Sequence, residues 1–563
     1  MARTTRCGQS YSRGSGSVGF SLRALHQLPT TQQKTASPQL PCAQLGGIFF
    51  RFQKTKMKTK ISLASTTLFL IVLIVAGLTS PASFAQTAPK PNSIEGFWHG
   101  ALGSGAGKLR AVLTITKAMD GKLTGTFESV DQGASFPMEN ITVDGSAVRF
   151  ELKVVGGVYE GTLSKDGAEL TGTWTQTGVP AQPLNFTWSS TPPPKPAAPS
   201  MTPAGPPVAL ADLQSALDRE FAPALDHGLL AKSTDGGVVI GVYDRGQTRI
   251  FAYGTAQPDS IFEIGSITKT FTGLILAQMV EQKKVAFDDP VRTLLPAGTV
   301  TKPDGAEISL VDLATQHSGL PRMPDNFHPT NNANPYADYH AAQMYEFISK
   351  HGVTRPQDAV FLYSNLGFGL LGQALALRAG VPYARLVKAE VTGPLHMDDT
   401  AVTIPPAQQK RLIQGHDAAN HLQGRWDLDA FAGAGALVST AADMLRYLEA
   451  NLHPEKIGAG AAAGSPSASL PAAFTLDHQL RSTVAGPAKI ALAWIYNEQT
   501  HIYFHDGGTG GYTSFAAFIP SEDRAIVVLY NREDTASGNP FTQRVFGNVY
   551  GLLSGKPTPK LDP

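Results

Sequence analysis

Residues 191–208, TPPPKPAAPSMTPAGPPV, constrain the fold of this chain more than any other feature. Eight prolines stand in these eighteen residues. Proline has no amide hydrogen and fixes its own φ, so neither a helix nor an inner strand runs through such a stretch. The segment also has too little apolar surface to fold by itself, so it reads as a semi-extended linker. The 563-residue chain is already too long for one ordinary core. It therefore divides into a segment at 92–190 and a larger one at 209–555, with a tail at 556–563.

Residues 92–190 read as all-β. Short alternating runs at Leu109–Thr116, Lys122–Glu128, Ala147–Lys153, Val158–Leu163, Glu169–Thr175 and Leu184–Trp188 are separated by Gly, Asp and Asn turns. A weak repeat recurs as Leu123-Thr-Gly-Thr-Phe127, Tyr159-Glu-Gly-Thr-Leu163 and Leu170-Thr-Gly-Thr-Trp174. Alternation places its large apolar residues on one face. Gly96-Phe97-Trp98 is expected to plug a small barrel. The segment reads as a stabilising accessory domain, with a ligand- or cell-wall-binding module as the alternative.

The larger segment mixes elements. A helix (Leu210–His227) and two strands (Gly237–Asp244, Thr248–Tyr253) precede a long, mostly helical stretch. Four strand-like runs follow, at Ile490–Tyr496, Ile502–His505, Thr513–Ile519 and Ala525–Tyr530, and a helix at Pro540–Leu553 closes the pattern. Short turns join the runs, which predicts one mainly antiparallel sheet covered by helices, an α+β domain with a helical lobe. An Ala/Gly/Ser-rich insert at Gly458–Ser469 reads as a mobile surface loop.

Charge is unevenly spread. Residues 1–60 hold ten Lys/Arg and no acid, and residues 61–85 hold no charge. Setting those ten aside from the 46 basic residues leaves 36 against 45 acidic ones, a net of −9 from Gln86 onward. An acidic body argues against a nucleic-acid partner, which needs basic patches. Lys54, Lys56, Lys58 and Lys60, the apolar run Ile61–Leu78 and the small-x-small site Ser83-Phe84-Ala85 have the order of a secretory signal peptide at 57–85. The protein is then periplasmic or secreted, and membrane-attached only if that segment stays uncleaved. Signal peptides start close to their Met, so translation is expected from Met57, with residues 1–56 unstructured or a gene-model artefact. Both cysteines, Cys7 and Cys42, lie in that stretch, so the mature chain has no thiol nucleophile and no disulfide.

Three short motifs could carry chemistry. Ser266-Ile-Thr-Lys269 leads into Thr270–Met279, an amphipathic helix by pattern, which sets Lys269 on the same face as Ser266. A serine hydroxyl needs a base for its proton and a positive environment for its alkoxide, and a helix start supplies part of the latter. Lys269 serves as base only if burial lowers its pKa from about 10.4 towards neutrality, a cost of about 4 kcal/mol. A serine cap followed by a surface lysine is the plainer alternative. Tyr363-Ser364-Asn365 opens a Gly-rich helix. A tyrosine beside a lysine can act as phenolate base, and Asn365 can hold a substrate carbonyl and brace Lys269; a buried aromatic and a helix-capping Asn would look the same. His505-Asp-Gly507-Gly508 connects two strands. Small residues there let a substrate lie along a strand edge, and the Gly508 and Ser266 amides could form an oxyanion hole worth about 3–4 kcal/mol. A Gly-rich hairpin is the alternative.

In chain order and context these motifs resemble the S-x-x-K, Y-x-N and K/H-x-G elements of the serine β-lactamase superfamily. The resemblance is nearest to the class C β-lactamase-related hydrolases, a branch that includes esterases, D-amino-acid peptidases and penicillin-binding proteins. It spans roughly residues 209–555. Leu313-Ala-Thr-Gln-His-Ser-Gly-Leu-Pro321 and Gly433–Met444 look like two further family segments that shape the cleft. The resemblance implies a class C β-lactamase/DD-peptidase-like fold and Ser266 as acylated nucleophile. It implies Lys269 and Tyr363 as proton-transfer partners, with Asn365, His505, Gly507 and Gly508 along the substrate. No cofactor and no metal is implied.

Two departures bear on the substrate. His505 stands where antibiotic-hydrolysing class C enzymes carry Lys, and a histidine, mostly neutral at pH 7, binds a carboxylate less strongly. Asp506 adds a negative charge nearby. Both favour an ester, amide or D-amino-acid peptide, small molecule or cell-wall peptide, over a β-lactam. The alternatives are a true class C-type β-lactamase and a non-catalytic penicillin-binding-like sensor. Neither H-E-x-x-H, a P-loop nor G-x-S-x-G occurs, and His416 and His421 read as solvated rather than as metal ligands.

Overall fold

The computed structural model describes residues 94–561 apart from 103–108, 119–120, 130–133, 154–155, 177–178, 192–199, 332, 459 and 535–539. The leader expected at 57–85, residues 1–56 and residues 192–199 of the proline-rich linker lie outside the described residues. Among the described residues no helix is long and apolar enough to cross a membrane.

The first part is a closed antiparallel barrel. Its strands are β1 (Gly96–Leu102), β2 (Leu109–Lys117), β3 (Leu123–Ser129), β4 (Ala134–Asp144), β5 (Ala147–Leu152), β6 (Gly157–Leu163), β7 (Glu169–Gln176), β8 (Val179–Pro183) and β9 (Phe186–Ser189). Neighbours in sequence pair in turn from β1 to β7. The strands β8 and β9 share one edge of β7, and β9 returns to β1, closing the ring. Closure pairs both edges of β1 to β7 and of β9, while β8 pairs with β7 alone. Alternation sends Trp98, Phe127, Phe150, Tyr159, Trp174 and Phe186 inward, and all six are buried. Trp98 thus belongs to a wall strand, not to a plug. The glycines of the weak repeat have a packing reason: a Cβ on Gly161 or Gly172 would lie 2.4 or 2.6 Å from the Tyr159 ring or hydroxyl. Strands β1, β4 and β8 escaped the sequence pattern.

The second part centres on an eight-stranded antiparallel sheet. Its strands are β10 (Gly237–Asp244), β11 (Gln247–Gly254), β12 (Ser482–Ala485), β13 (Ala488–Ile490), β14 (Ile495–Asn497), β15 (Ile502–Gly508), β16 (Thr513–Ile519) and β17 (Arg524–Tyr530). Their spatial order is β11-β10-β17-β16-β15-β14-β13-β12. The run expected at 490–496 is two strands joined by a turn, and β12 is an addition. Every residue of β16 and β17 is buried, which explains why these strands read as unbroken apolar runs instead of alternating ones. Helices α4 (Ala441–Leu452) and α6 (Phe541–Ser554) pack on the sheet, and α1 (Leu213–Asp226) packs beside α6.

The helical lobe is built on α2 (Thr268–Glu281). Residues Thr268 to Met279 are all buried, so α2 is a central helix and not the amphipathic one its pattern suggested. It packs on α5 (Pro466–Asp477), which begins inside the insert read as a mobile loop. The Gly-rich α3 (Asn365–Ala379) uses its glycines for contact. A Cβ on Gly369 would meet the Ala430 carbonyl at 3.1 Å, and one on Gly372 would meet Gly433 at 2.9 Å. That close approach brings residues 430–436 against the start of α2.

Candidate active site

Ser266 lies in a 3₁₀ turn, Gly265–Ile267, that runs directly into α2. The turn is clamped from both sides. Phe262–Glu263 pairs with Val438–Ser439, and the Ser514 hydroxyl donates to the Ile264 carbonyl at 2.9 Å. Gly265 has φ +48°, and a Cβ there would sit 2.7 Å from the Gly508 amide nitrogen. Only glycine allows this approach. Gly507 is packed just as tightly, since its Cβ would fall 2.1 Å from the Ile264 carbonyl oxygen. The serine turn and the end of β15 are thereby held backbone to backbone.

Lys269 is fully buried, and its Nζ has three polar neighbours. Ser266 Oγ lies at 2.9 Å, Asn365 Oδ1 at 2.9 Å and the Ala434 carbonyl at 2.7 Å. Burial drives its pKa well below the ordinary lysine range, and the Arg322 guanidinium pushes the same way while Asp506 opposes them. The two carbonyl oxygens only accept. A neutral amine can give each of them a hydrogen and turn its lone pair to the Ser266 hydroxyl.

Tyr363 stands beside this pair, with its ring centroid 4.8 Å from Lys269 Nζ. Its hydroxyl is buried without a hydrogen-bond partner among the described residues. Burial raises its pKa, offset in part by Arg322 and by the nearby Ser266 hydroxyl. The phenol is therefore protonated at rest, the opposite of a standing phenolate. Ser364 caps α3 by accepting from the Gly367 amide at 2.8 Å, which makes Asn365 the first helical residue instead of the cap. The Leu313–Pro321 segment braces this corner: Gln316 Oε1 accepts from the Ser364 amide at 2.7 Å, and the Pro321 carbonyl accepts from its hydroxyl at 2.6 Å.

His505 is buried, and its Nδ1 donates to the Asp506 carbonyl at 2.6 Å. Burial lowers its pKa to about 4, with Asp506 recovering part of the loss. The third wall is thus uncharged at His505 across the neutral range. His416 is buried and His421 exposed, so the expectation that both are solvated holds for His421 alone. Among the described residues no cluster of His, Cys, Asp and Glu could hold a metal ion.

A cleft opens on Ser266, Asn365 and Gly508. Ala434 and Gly435 belong to the Gly433–Met444 segment read as shaping the cleft, whereas its aromatic side was missed. Ala434 and Gly435 form the floor, and Tyr336, Trp426 and Phe431 form an aromatic side, with Tyr336 5.2 Å from Trp426 and 5.4 Å from Phe431 between ring centroids. Tyr336 is remote in sequence from Trp426 and Phe431, and aromatic residues so scattered give no spacing signal.

Glu263 was also missed. It is buried, accepts from the Trp426 amide at 2.8 Å through Oε1, and leaves Oε2 without a partner among the described residues. Burial pushes its pKa up to about 7, against the pull of Thr509, the Trp426 amide and Arg425. Unfolded, the carboxyl returns to about 4.3. The folded state thus holds a proton that the unfolded state releases between those values. The stabilisation is complete below the unfolded pKa and is lost as pH rises through about 7, on the order of 3 kcal/mol in all. Thermal melts should show the wild type losing stability relative to Glu263→Gln between pH 5 and pH 8. Parallel melting curves across that range would rule the assignment out.

Comparison with known proteins follows the same lines. Residues 227–544 match the family model described as Beta-lactamase. The chain is 27% identical over 343 residues to the D-alanyl-D-alanine-carboxypeptidase/endopeptidase AmpH of Escherichia coli K12, covering 57% of this chain and 86% of AmpH. It is 26% identical to a β-lactamase of Pseudomonas fluorescens, covering 57% of this chain and 94% of that one. An unguisins hydrolase of Aspergillus campestris is also 26% identical, over 56% of this chain and 62% of its own. Among solved structures, a class C β-lactamase from Rhodobacter sphaeroides matches with a TM-score of 0.48 at 24% identity, over 60% of this chain and 99% of that one. With a family match over more than half its length, the chain belongs to the β-lactamase family and is a serine hydrolase of the serine β-lactamase superfamily.

Proposed function

We propose that this hydrolase is exported and works through an acyl-enzyme on Ser266, cleaving an ester, an amide or a D-amino-acid peptide. The observation that carries the reading is the buried Lys269 amine, 2.9 Å from Ser266 Oγ and tied to two acceptor oxygens. Ser266 Oγ attacks the substrate carbonyl while its proton passes to Lys269 Nζ. The oxyanion forms between the Ser266 and Gly508 amides, a reading that the close approach of Gly265 to Gly508 supports. Tyr363, neutral and unpartnered, is placed to relay the proton to the leaving group. Water then attacks the acyl-enzyme, with the same amine as base. Asn365 holds Lys269 and lines the cleft beside the substrate.

The neutral His505 supports a substrate outside the β-lactams, because this wall lacks the permanent cation that a β-lactam carboxylate would meet. The family likeness to a carboxypeptidase, a β-lactamase and an unguisins hydrolase supports hydrolysis and leaves the acyl group open. The barrel of residues 92–190 serves in this reading as an accessory domain. Purified residues 86–563 should turn over a p-nitrophenyl ester faster than a chromogenic cephalosporin, with a D-Ala-D-Ala peptide as the third substrate compared. A cephalosporin rate above the ester rate would favour the β-lactamase alternative and reverse the role given to His505.

A further inference from the structure

Beside the catalytic residues stands a cation that no motif accounts for. Arg322 follows the Leu313–Pro321 segment, and its guanidinium lies 5.2 Å from the centroid of the Tyr363 ring. Its backbone is fixed, since the Arg322 carbonyl accepts from the amides of Asn365 and Leu366 at 3.0 and 3.1 Å. The side chain is half-buried, and among the described residues no carboxylate pairs with it. Elsewhere in this domain Arg292 pairs with Glu307, Arg355 with Asp312 and Arg411 with Asp399, while Arg481 and Arg532 donate to the Leu476 and Thr234 carbonyls. Leaving a half-buried guanidinium without an anion is costly unless an anion arrives with a ligand.

We propose that Arg322 is the substrate-anchoring residue of this site and selects substrates that carry a carboxylate near the scissile carbonyl. The inference rests on the hydrolase reading above and deepens it: the positive charge absent at His505 stands instead beside Tyr363 and Asn365. Position favours this over a purely structural role. The Arg322 carbonyl accepts from the amide of Asn365, which lines the cleft, and the guanidinium charge acts on Lys269, Tyr363 and Tyr336 alike. A planar guanidinium stacked on an aromatic ring keeps its edge free for two hydrogen bonds to a carboxylate.

Two matched pairs of esters test this at pH 7, where their carboxylates are ionised. Mono-p-nitrophenyl adipate against p-nitrophenyl hexanoate places the charge on the acyl side. 4-Acetoxybenzoate against its methyl ester places it on the leaving group. The readout is the ratio of kcat/KM between the charged and neutral members, which does not depend on how much of a variant is folded. In at least one pair, Arg322→Gln should lower that ratio about 10- to 100-fold, through the charged member's KM, and Arg322→Lys should restore part of it. Ratios unmoved in both pairs by Arg322→Gln would overturn the assignment while leaving the hydrolase reading intact. A wild type that hydrolyses neither member of either pair would overturn both.

Discussion

Replacing Ser266 with alanine is expected to lower kcat/KM for the best ester by about 10⁴-fold or more while the protein stays folded. The size follows from what the hydroxyl does. Without Oγ no acyl-enzyme can form, and what remains is the oxyanion site acting on attack by water. The fold should tolerate the change because the turn is clamped by other groups. The Ser514 hydroxyl still holds the Ile264 carbonyl, and Phe262–Glu263 still pairs with Val438–Ser439. Steady-state kinetics with thermal melts checks both halves. A variant with even a tenth of wild-type activity and a normal melt would mean that another group is the nucleophile.

The second large effect is expected at Lys269. Lys269→Met keeps an unbranched side chain of similar length in a fully buried position and removes the base. Activity should fall by about 10³-fold or more, since general-base catalysis and the ordering of Ser266 are lost together. Stability should change far less. Losing the donor to Asn365 Oδ1 and the Ala434 carbonyl costs about 1–3 kcal/mol for each unsatisfied acceptor. Removing an amine that burial already disfavours returns part of that. A net of a few kcal/mol leaves an ordinary domain of 5–15 kcal/mol mostly folded. Catalysis lost with folding retained separates a base from a buried strut. A variant that keeps its rate would assign the proton to Tyr363 instead.

Side chains at fixed spacings were legible in the sequence, and backbone contacts were not. Ser266 and Lys269 are three residues apart at a helix start, and such a spacing survives in any fold that makes the helix. Tyr363, Asn365 and His505 became readable only as a set in the right order. Nothing in the sequence marks the Ala434 carbonyl as a partner of Lys269, because any residue supplies a carbonyl; Gly433–Met444 was read there only as a segment shaping the cleft. Arg322 and Glu263 gave no signal either, since their meaning depends on what lies across the cleft. The same limit explains the barrel. Strands with strict alternation were found, whereas β4, which carries Pro137 and a register shift between Glu139 and Thr142, was not. Helix α2 was misjudged as amphipathic because Thr268, Thr270, Thr272 and Gln278 look like a polar face. Each is buried, and the threonine hydroxyls find backbone partners nearby, as Thr272 does in the Gly433 carbonyl at 2.7 Å.

The central claim is that one serine, activated by a buried lysine, is acylated. Treating purified residues 86–563 with a fluorophosphonate and mapping the adduct by peptide mass spectrometry tests it most directly. The expected result is a single adduct per chain on the peptide containing Ser266, absent from Ser266→Ala and formed at least about 100-fold more slowly in Lys269→Met. An adduct on any other residue, or one that persists in Ser266→Ala, would contradict the account.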